Sequence, residues 1–263
     1  MSSVTERLSE RLKCVADMLK ENGDEKIHAC DVGCDHGYVS IYLVQEGIAE
    51  SAIAMDVRKG PLSGAVENIK KYGLEDRITT RLSDGLRELS AGEADSLVIA
   101  GMGGKLMIRL LTQGEPVQKG IRRAVLQPQS ELYEFRKYLR DSGYAIADEK
   151  IVYEDGKYYF PMKVIFDGAK VDNYYNKAID ELVRVCSCSA EEASEICNRF
   201  GEVNILKKTP LLLDYCTHGK EVSESIMKAL DKDIHPKRYE EIKSELRELE
   251  ITVKYLEQVT VTL

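Results

Sequence analysis

The stretch Ile27-His28-Ala29-Cys30-Asp31-Val32-Gly33-Cys34-Asp35-His36-Gly37-Tyr38 carries a short apolar run into a glycine turn and then into a helix. Gly33 lets the backbone bend sharply, and a helix opening near His36 aims its unpaired N–H groups back at the bend. In open α/β sheets, ligands bind at the carboxyl ends of strands where the strand order reverses. This one segment therefore points both to a fold class and to the place where a site would lie.

Similar β-rich runs recur at 51–57 (SAIAMDV), 77–82 (RITTRL), 95–101 (DSLVIAG), 123–128 (RAVLQP), 144–154 (YAIADEKIVYE) and 158–166 (YYFPMKVIF), which with 27–32 makes seven. Helix-length segments separate the first five, the pattern of a parallel sheet with crossover helices. Only Asp155-Gly156-Lys157 separates the last two, so they pair as a hairpin and one of them runs against the rest. Before the first run, Leu8, Leu12, Val15 and Leu19 predict a helix over 5–22 closed by Asn22-Gly23. Beyond Gly168 the pattern turns helical. Ser189 caps AEEASEICNRF, Pro210 interrupts, and Tyr239, Ile242, Leu246, Leu249, Val253 and Leu256 step by three and four. That seam is too short to stand alone and is expected to pack on an earlier helix, such as one at 171–186. The expectation is a seven-stranded Rossmann-like α/β sheet over 1–168, mostly parallel with a terminal antiparallel hairpin, and a helical coiled-coil domain over 169–263.

A chain of 263 residues with 43% hydrophobic content can bury a core for such a domain and a smaller companion. Its net charge of −8 argues against coating nucleic acid by bulk electrostatics, and no DNA partner is expected. No apolar run is long enough to span a bilayer, and the N-terminus is charged and amphipathic, so a cytoplasmic chain with no membrane partner is expected. The seven cysteines form no CxxC pair and read as reduced thiols. His28, Cys30, Cys34 and His36 suggest a metal, but His28, Cys30 and Val32 alternate on one strand face and no pair has finger spacing, so none is expected. Residues 105–140 hold eight basic side chains, among them Lys105, Arg109 and Arg136, against three acidic ones. They read either as phosphate contacts or as solvated helix faces.

The acid in the first turn narrows the ligand. A dinucleotide site wants GxGxxG, so that backbone can approach a pyrophosphate. Here Gly33 and Gly37 flank Asp35, a carboxylate that would repel phosphate but suits a ligand with a sulfonium and an ammonium, S-adenosylmethionine. Asp56, which ends the second run beside Val57, can accept both ribose hydroxyls of an adenosine or serve as a helix cap. Asp84 in Ser83-Asp84-Gly85-Leu86 can accept from the adenine amino group while Leu86 lies beside the ring, and the same residues also read as an N-cap. Ala100-Gly101-Met102-Gly103-Gly104 ends the fourth run with three glycines in four residues, close enough to backbone for a substrate base, and Gln127-Pro128-Gln129 faces the same crevice.

The segments LSERLKCVADML, DVGCDHGYVSIYLV, DVRKGPLSGAVENIKKYGLEDRI, RLSDGL, VIAGMGGKLM and LQPQ closely resemble the bacterial tRNA (adenine22-N1)-methyltransferases. That resemblance implies S-adenosylmethionine as methyl donor, tRNA as substrate and no metal. It implies cofactor contacts from Arg11, Asp31, Gly33, Asp35, His36, Asp56, Val57, Asp84, Gly85, Leu86, Ala100, Gly101 and Met102. It implies that Gly101 to Gly104, with Gly103 and Gly104 among them, border the target base. From the residues themselves, Gln127 and Pro128 in the crevice and Lys105, Arg109 and Arg136 of the basic segment are the further expected substrate contacts, Asp35 and His36 the expected catalytic pair, and the helical tail an expected grip on tRNA. Cys34 and Gly37 depart from the small residues such as Ser and Ala expected there. The competing classes are a methyltransferase for another RNA or a small molecule, and an NAD-linked oxidoreductase or nucleotide sensor. Monomer is the default oligomeric state.

Overall fold

The computed structural model describes residues 3–20 and 26–258, the side chain of residue 170 excepted. The chain divides into two compact units, Met1–Val171 and Asp172–Leu263.

The first unit opens with a 3-10 turn, Thr5–Arg7, and helix α1, Glu10–Asp17. The single helix expected over 5–22 is thus split: the Ser9 hydroxyl accepts the Leu12 N–H and fixes the α-helical start at Glu10. The expected Asn22-Gly23 stop lies outside the described residues. Strand β1 (His28–Val32) leads to α2 (Tyr38–Gln45), β2 (Ser51–Asp56), α3 (Lys59–Tyr72) and β3 (Ile78–Leu82). Strand β4 (Ser96–Met102), α4 (Gly104–Gly114), β5 (Arg123–Pro128), α5 (Leu132–Asp141) and β6 (Ala145–Glu149) follow. The expected helix between β3 and β4 is missing. Gly85 sits at φ +65, and the Ser83 hydroxyl, donating to the Gly85 carbonyl and accepting the Glu88 N–H, winds the segment into turns instead.

The two last runs each hold two strands. β7 (Val152–Glu154) and β8 (Lys157–Tyr159) form a separate ribbon around the Asp155-Gly156 turn, while β6 and β9 (Met162–Ile165) enter the main sheet. The break falls where Pro161 offers no N–H; its carbonyl instead accepts from Lys150. The seven-stranded sheet runs β3-β2-β1-β4-β5-β9-β6, parallel except for β9, which pairs antiparallel with both β5 and β6. Its central strands are buried along nearly their whole length, as the continuous apolar runs of a two-sided parallel sheet require. The order reverses between β1 and β4.

The second unit is helical: α6 (Tyr174–Cys186), α7 (Ala190–Phe200), α8 (Glu202–Lys207), α9 (Pro210–Ala229) and α10 (Pro236–Glu257). Ser189 and Glu192 close a reciprocal capping box on α7, and Pro210 begins α9 rather than merely interrupting. As expected, α10 packs on earlier helices: chiefly α9, with α6, which covers most of 171–186, and α7 as lesser neighbours. Near its end Glu248, Leu249, Ile251, Thr252, Val253, Tyr255 and Leu256 are all buried, which takes helices on more than one side.

Candidate active site

A cavity of about 420 Å³ opens at the carboxyl ends of β1, β2 and β4, at the point where the strand order reverses. That is the size of a small-molecule site. The chain bends beneath it at Gly33, φ +77, where a Cβ would stand 2.2 Å from Met102 Cε. The N–H groups of Gly33 and Cys34 both donate to the Met55 carbonyl, at 2.8 and 2.9 Å, tying the bend to β2. Asp35 follows at φ +50, a left-handed conformation that aspartate adopts more readily than most side chains. Gly37, also left-handed, lets α2 start at Tyr38, two residues later than the sequence suggests.

Carboxylates dominate the electrostatics. Asp31 and Asp56 are both buried at the cavity wall. Burial raises Asp31 to about 6, repulsion from Asp56 adds to the rise, and the Ser40 hydroxyl, donating at 2.7 Å, offsets part of it. The Cys34 thiol registers the same field: burial pushes it upward, and Asp31, Asp56 and Asp35 push it further. Asp56 Oδ1 also accepts the Arg58 N–H at 2.8 Å, which fixes the turn into α3 while the carboxylate faces the cavity. Asp84 lies 3.2 Å from Arg109, which holds its carboxyl below the usual carboxylate range. Asp35 and His36 stand 4.0 Å apart with side chains 64% and 55% exposed, in reach of an incoming molecule.

Arg11 arrives from α1, far away in sequence. Its Nη1 donates to Gln127 Oε1 at 2.6 Å, its guanidinium lies 5.0 Å from the centre of the Tyr159 ring, and Glu154 holds its backbone N–H at 3.2 Å. The ribbon β7–β8 and the tip of β5 thus clamp one cation at the cavity wall. Its buried Nε, 3.8 Å from a Glu154 oxygen, has no hydrogen-bond partner among the described residues.

The cavity gathers Arg11, Asp31, Gly33, Asp35, His36, Asp56, Val57, Asp84, Gly85, Ala100, Gly101, Met102 and Arg109. Other expected contacts fall elsewhere. Leu86 is buried against Gly114, where a Cβ would come within 2.9 Å of it, so it is core and not a wall beside a ring. Gln127 is fully buried and serves Arg11, with Pro128 buried next to it. Gly103 and Gly104 pack against Ser130 and Glu131; the Gly104 Cβ position is 2.6 Å from the Ser130 carbonyl, so only glycine fits. Lys105 is exposed on α4. Arg136 corrects the basic-segment reading outright: it is fully buried, paired with Glu149 at 2.9 Å, and cannot meet a phosphate at the surface. Arg123 is buried as well. No local signal marks the Asp84–Arg109 pair or the Glu154 and Tyr159 clamp, since each joins segments whose spacing carries no period.

Residues 8–162 match the methyltransferase-domain family. The chain belongs to that family. Within it, the domain is 39% identical over 153 residues to the tRNA (adenine(22)-N(1))-methyltransferase of Bacillus subtilis, a stretch covering 58% of this chain and 63% of that enzyme. The crystal structure of the B. subtilis m1A22 tRNA methyltransferase is 29% identical, covers 96% of this chain and 98% of its own, and has a TM-score of 0.71. A candidate tRNA (m1A22) methyltransferase of Streptococcus pneumoniae, crystallised in complex with S-adenosyl-L-methionine, is 27% identical with a TM-score of 0.73, covering 94% and 99% of the two chains. The methyltransferase domain thus carries its acid-rich turn at the switch point of a sheet shared with these proteins. Among the described residues, no helix is long and apolar enough to cross a membrane.

Proposed function

We propose that this chain transfers a methyl group from S-adenosyl-L-methionine to N1 of adenine 22 in tRNA. The observation that carries the reading is the ring of Asp31, Asp35 and Asp56 around Cys34 at a glycine bend, an anionic wall in a site whose fold elsewhere binds nucleotides. Such a wall suits a cationic, phosphate-free adenosine. When bound, that molecule supplies an electrophilic methyl group on a sulfonium. Asp56 would accept from the ribose hydroxyls, Asp31 would balance the positive amino-acid end, and Arg11, with its orphaned Nε, would meet the carboxylate. Asp84 and Gly85 would line the adenine end.

Adenine N1 is unprotonated at neutral pH, so its lone pair can attack the methyl group in line without an obligatory general base. Catalysis then rests on alignment, which can contribute on the order of 7–11 kcal/mol. The methylated base becomes cationic, and the exposed Asp35 carboxylate, with His36 beside it, is placed to stabilise that charge. Gly101 would let the base approach backbone at the tip of β4. Since N1 lies on the Watson–Crick edge, the target must be unpaired or turned out of its stack. Lys105 and Arg109 on α4 would contact the RNA from the first unit, and residues 169–263 would form a tRNA-binding domain.

Mass spectrometry of nucleosides from tRNA incubated with the protein and methyl donor tests this directly. N1-methyladenosine confined to one position is expected; its absence with every tRNA offered would refute the assignment. Asp35→Asn keeps a residue tolerant of the left-handed backbone and should lower kcat by more than it weakens donor binding; an unchanged kcat would remove the proposed role.

A further inference from the structure

We propose that Gln129 distinguishes adenine from guanine at the target position by reading the N6 and N7 edge of the base. The inference rests on the N1-methylation reading above and names the residue that would make it selective. Guanine N1 carries a proton and would not react in this way, but an N1 lone pair aimed at a methyl group cannot also be engaged by a protein donor, so any protein contact that favours productive binding of adenine over guanine has to fall elsewhere on the ring. Along the N6/N7 edge, adenine offers one donor and one acceptor, whereas guanine offers two acceptors. A carboxamide matches the first pattern bidentately. Against guanine, either amide orientation sets its oxygen toward a lone pair.

Two amides end β5, and they are not equivalent. Gln127 is fully buried and committed, its Oε1 accepting from Arg11 at 2.6 Å and its Nε2 donating to the Pro128 carbonyl at 3.0 Å. Gln129 is exposed, and among the described residues its side-chain amide has no hydrogen-bond partner. Its backbone is nonetheless fixed: the Gln129 N–H donates to the Met102 carbonyl at 2.9 Å, pinning the residue to the tip of β4. The amide therefore hangs from a rigid point beside the glycine segment. A Cβ built on Gly101 would stand 3.7 Å from Gln129 Nε2 and 4.0 Å from Arg11 Nη1, so bare, exposed backbone at φ +79 adjoins the amide and the cavity at once. The adjacent polar groups are occupied, because the Ser130 hydroxyl donates to Glu131 at 2.5 Å and Glu131 also accepts the Lys105 N–H at 3.5 Å.

The test uses the full-length enzyme and its Gln129→Ala and Gln129→Glu variants on tRNA carrying adenosine or 7-deazaadenosine at the target position, with N1-methylated product quantified by mass spectrometry. The parent should lose kcat/KM on the 7-deaza base, which lacks the N7 acceptor. Gln129→Ala should lose about 10- to 100-fold on adenosine and show no further 7-deaza penalty. Gln129→Glu keeps an acceptor for the N6 amino group but opposes N7, so its preference should reverse in favour of the 7-deaza base, a change that general damage to the fold would not produce. Calorimetric donor affinity should be the same in all three. A parent indifferent to N7, or a Gln129→Ala enzyme with the parent's 7-deaza penalty, overturns the role of Gln129 while leaving N1 methylation standing. A parent that forms no N1-methyladenosine sinks the underlying reading, and the proposal with it.

Discussion

Asp31 illustrates how one residue couples fold, charge and ligand. Its carboxyl is raised from 3.8 to about 6 because burial disfavours the ionised form, with Asp56 adding repulsion. A folded state that holds a proton more tightly than the unfolded chain takes one up on folding between those two values. The stability this group contributes is therefore fully present below about 4 and is lost as the pH rises through about 6. Asn at this position can still accept from the Ser40 hydroxyl but has no charge to bury. Asp31→Asn should accordingly raise the midpoint of urea unfolding at pH 8, with the advantage gone at pH 4, and should weaken methyl-donor binding at pH 8, where the parent carboxyl is ionised, with that difference closing toward pH 4. A variant less stable than the parent at pH 8 would show that the carboxylate is not an electrostatic cost. Gly33 makes a related point about the backbone: its φ of +77 strains any residue with a side chain, and a Cβ there would in addition push the Met102 methyl group aside.

At the scale of elements, the ribbon β7–β8 lies outside the main sheet, yet it holds Arg11 through Glu154 and Tyr159. Its contribution is to positioning. Tyr159→Ala and Glu154→Gln should each raise the donor dissociation constant several-fold by releasing Arg11, with little change in melting temperature; calorimetry and thermal unfolding measure the two sides. The opposite balance is expected where α5 meets β6. Arg136 and Glu149 are both fully buried and bond at 2.9 Å, and the guanidinium lies 5.7 Å from the centre of the Phe160 ring. Arg136→Met would strand a buried carboxylate and should cost about 3–5 kcal/mol of unfolding free energy. Pairing it with Glu149→Leu should recover a large part of that loss, and a double variant no better than the single would argue against charge as the cause.

For the whole molecule, the division at Val171 predicts separable roles. A chain ending at 171 should retain its calorimetric affinity for S-adenosyl-L-methionine and lose most of its affinity for tRNA in a filter-binding titration. Undiminished tRNA binding would move the RNA grip onto the first unit. That unit has fewer exposed cations than its sequence suggests, because Arg123 and Arg136 are buried. Under the proposed function, shape and a few placed contacts, more than a broad positive patch, would select the RNA.

Local rules carried the sequence reading as far as they act locally. Runs of apolar residues between turns placed β1 to β5 within a residue or two, and the glycines and aspartates of 31–37, 56 and 84–85 marked the cavity because turn geometry and charge are properties of adjacent residues. The same rules failed where neighbours in space are distant in the chain. The contact between Arg11 and Gln127, 116 positions apart, the burial of Arg136 and Leu86, and the splitting of 144–166 between a ribbon and the main sheet all depend on which surfaces meet once the chain has closed. Periodicity states which face of an element is apolar. Only packing decides what that face, or a lone charge beside it, will touch.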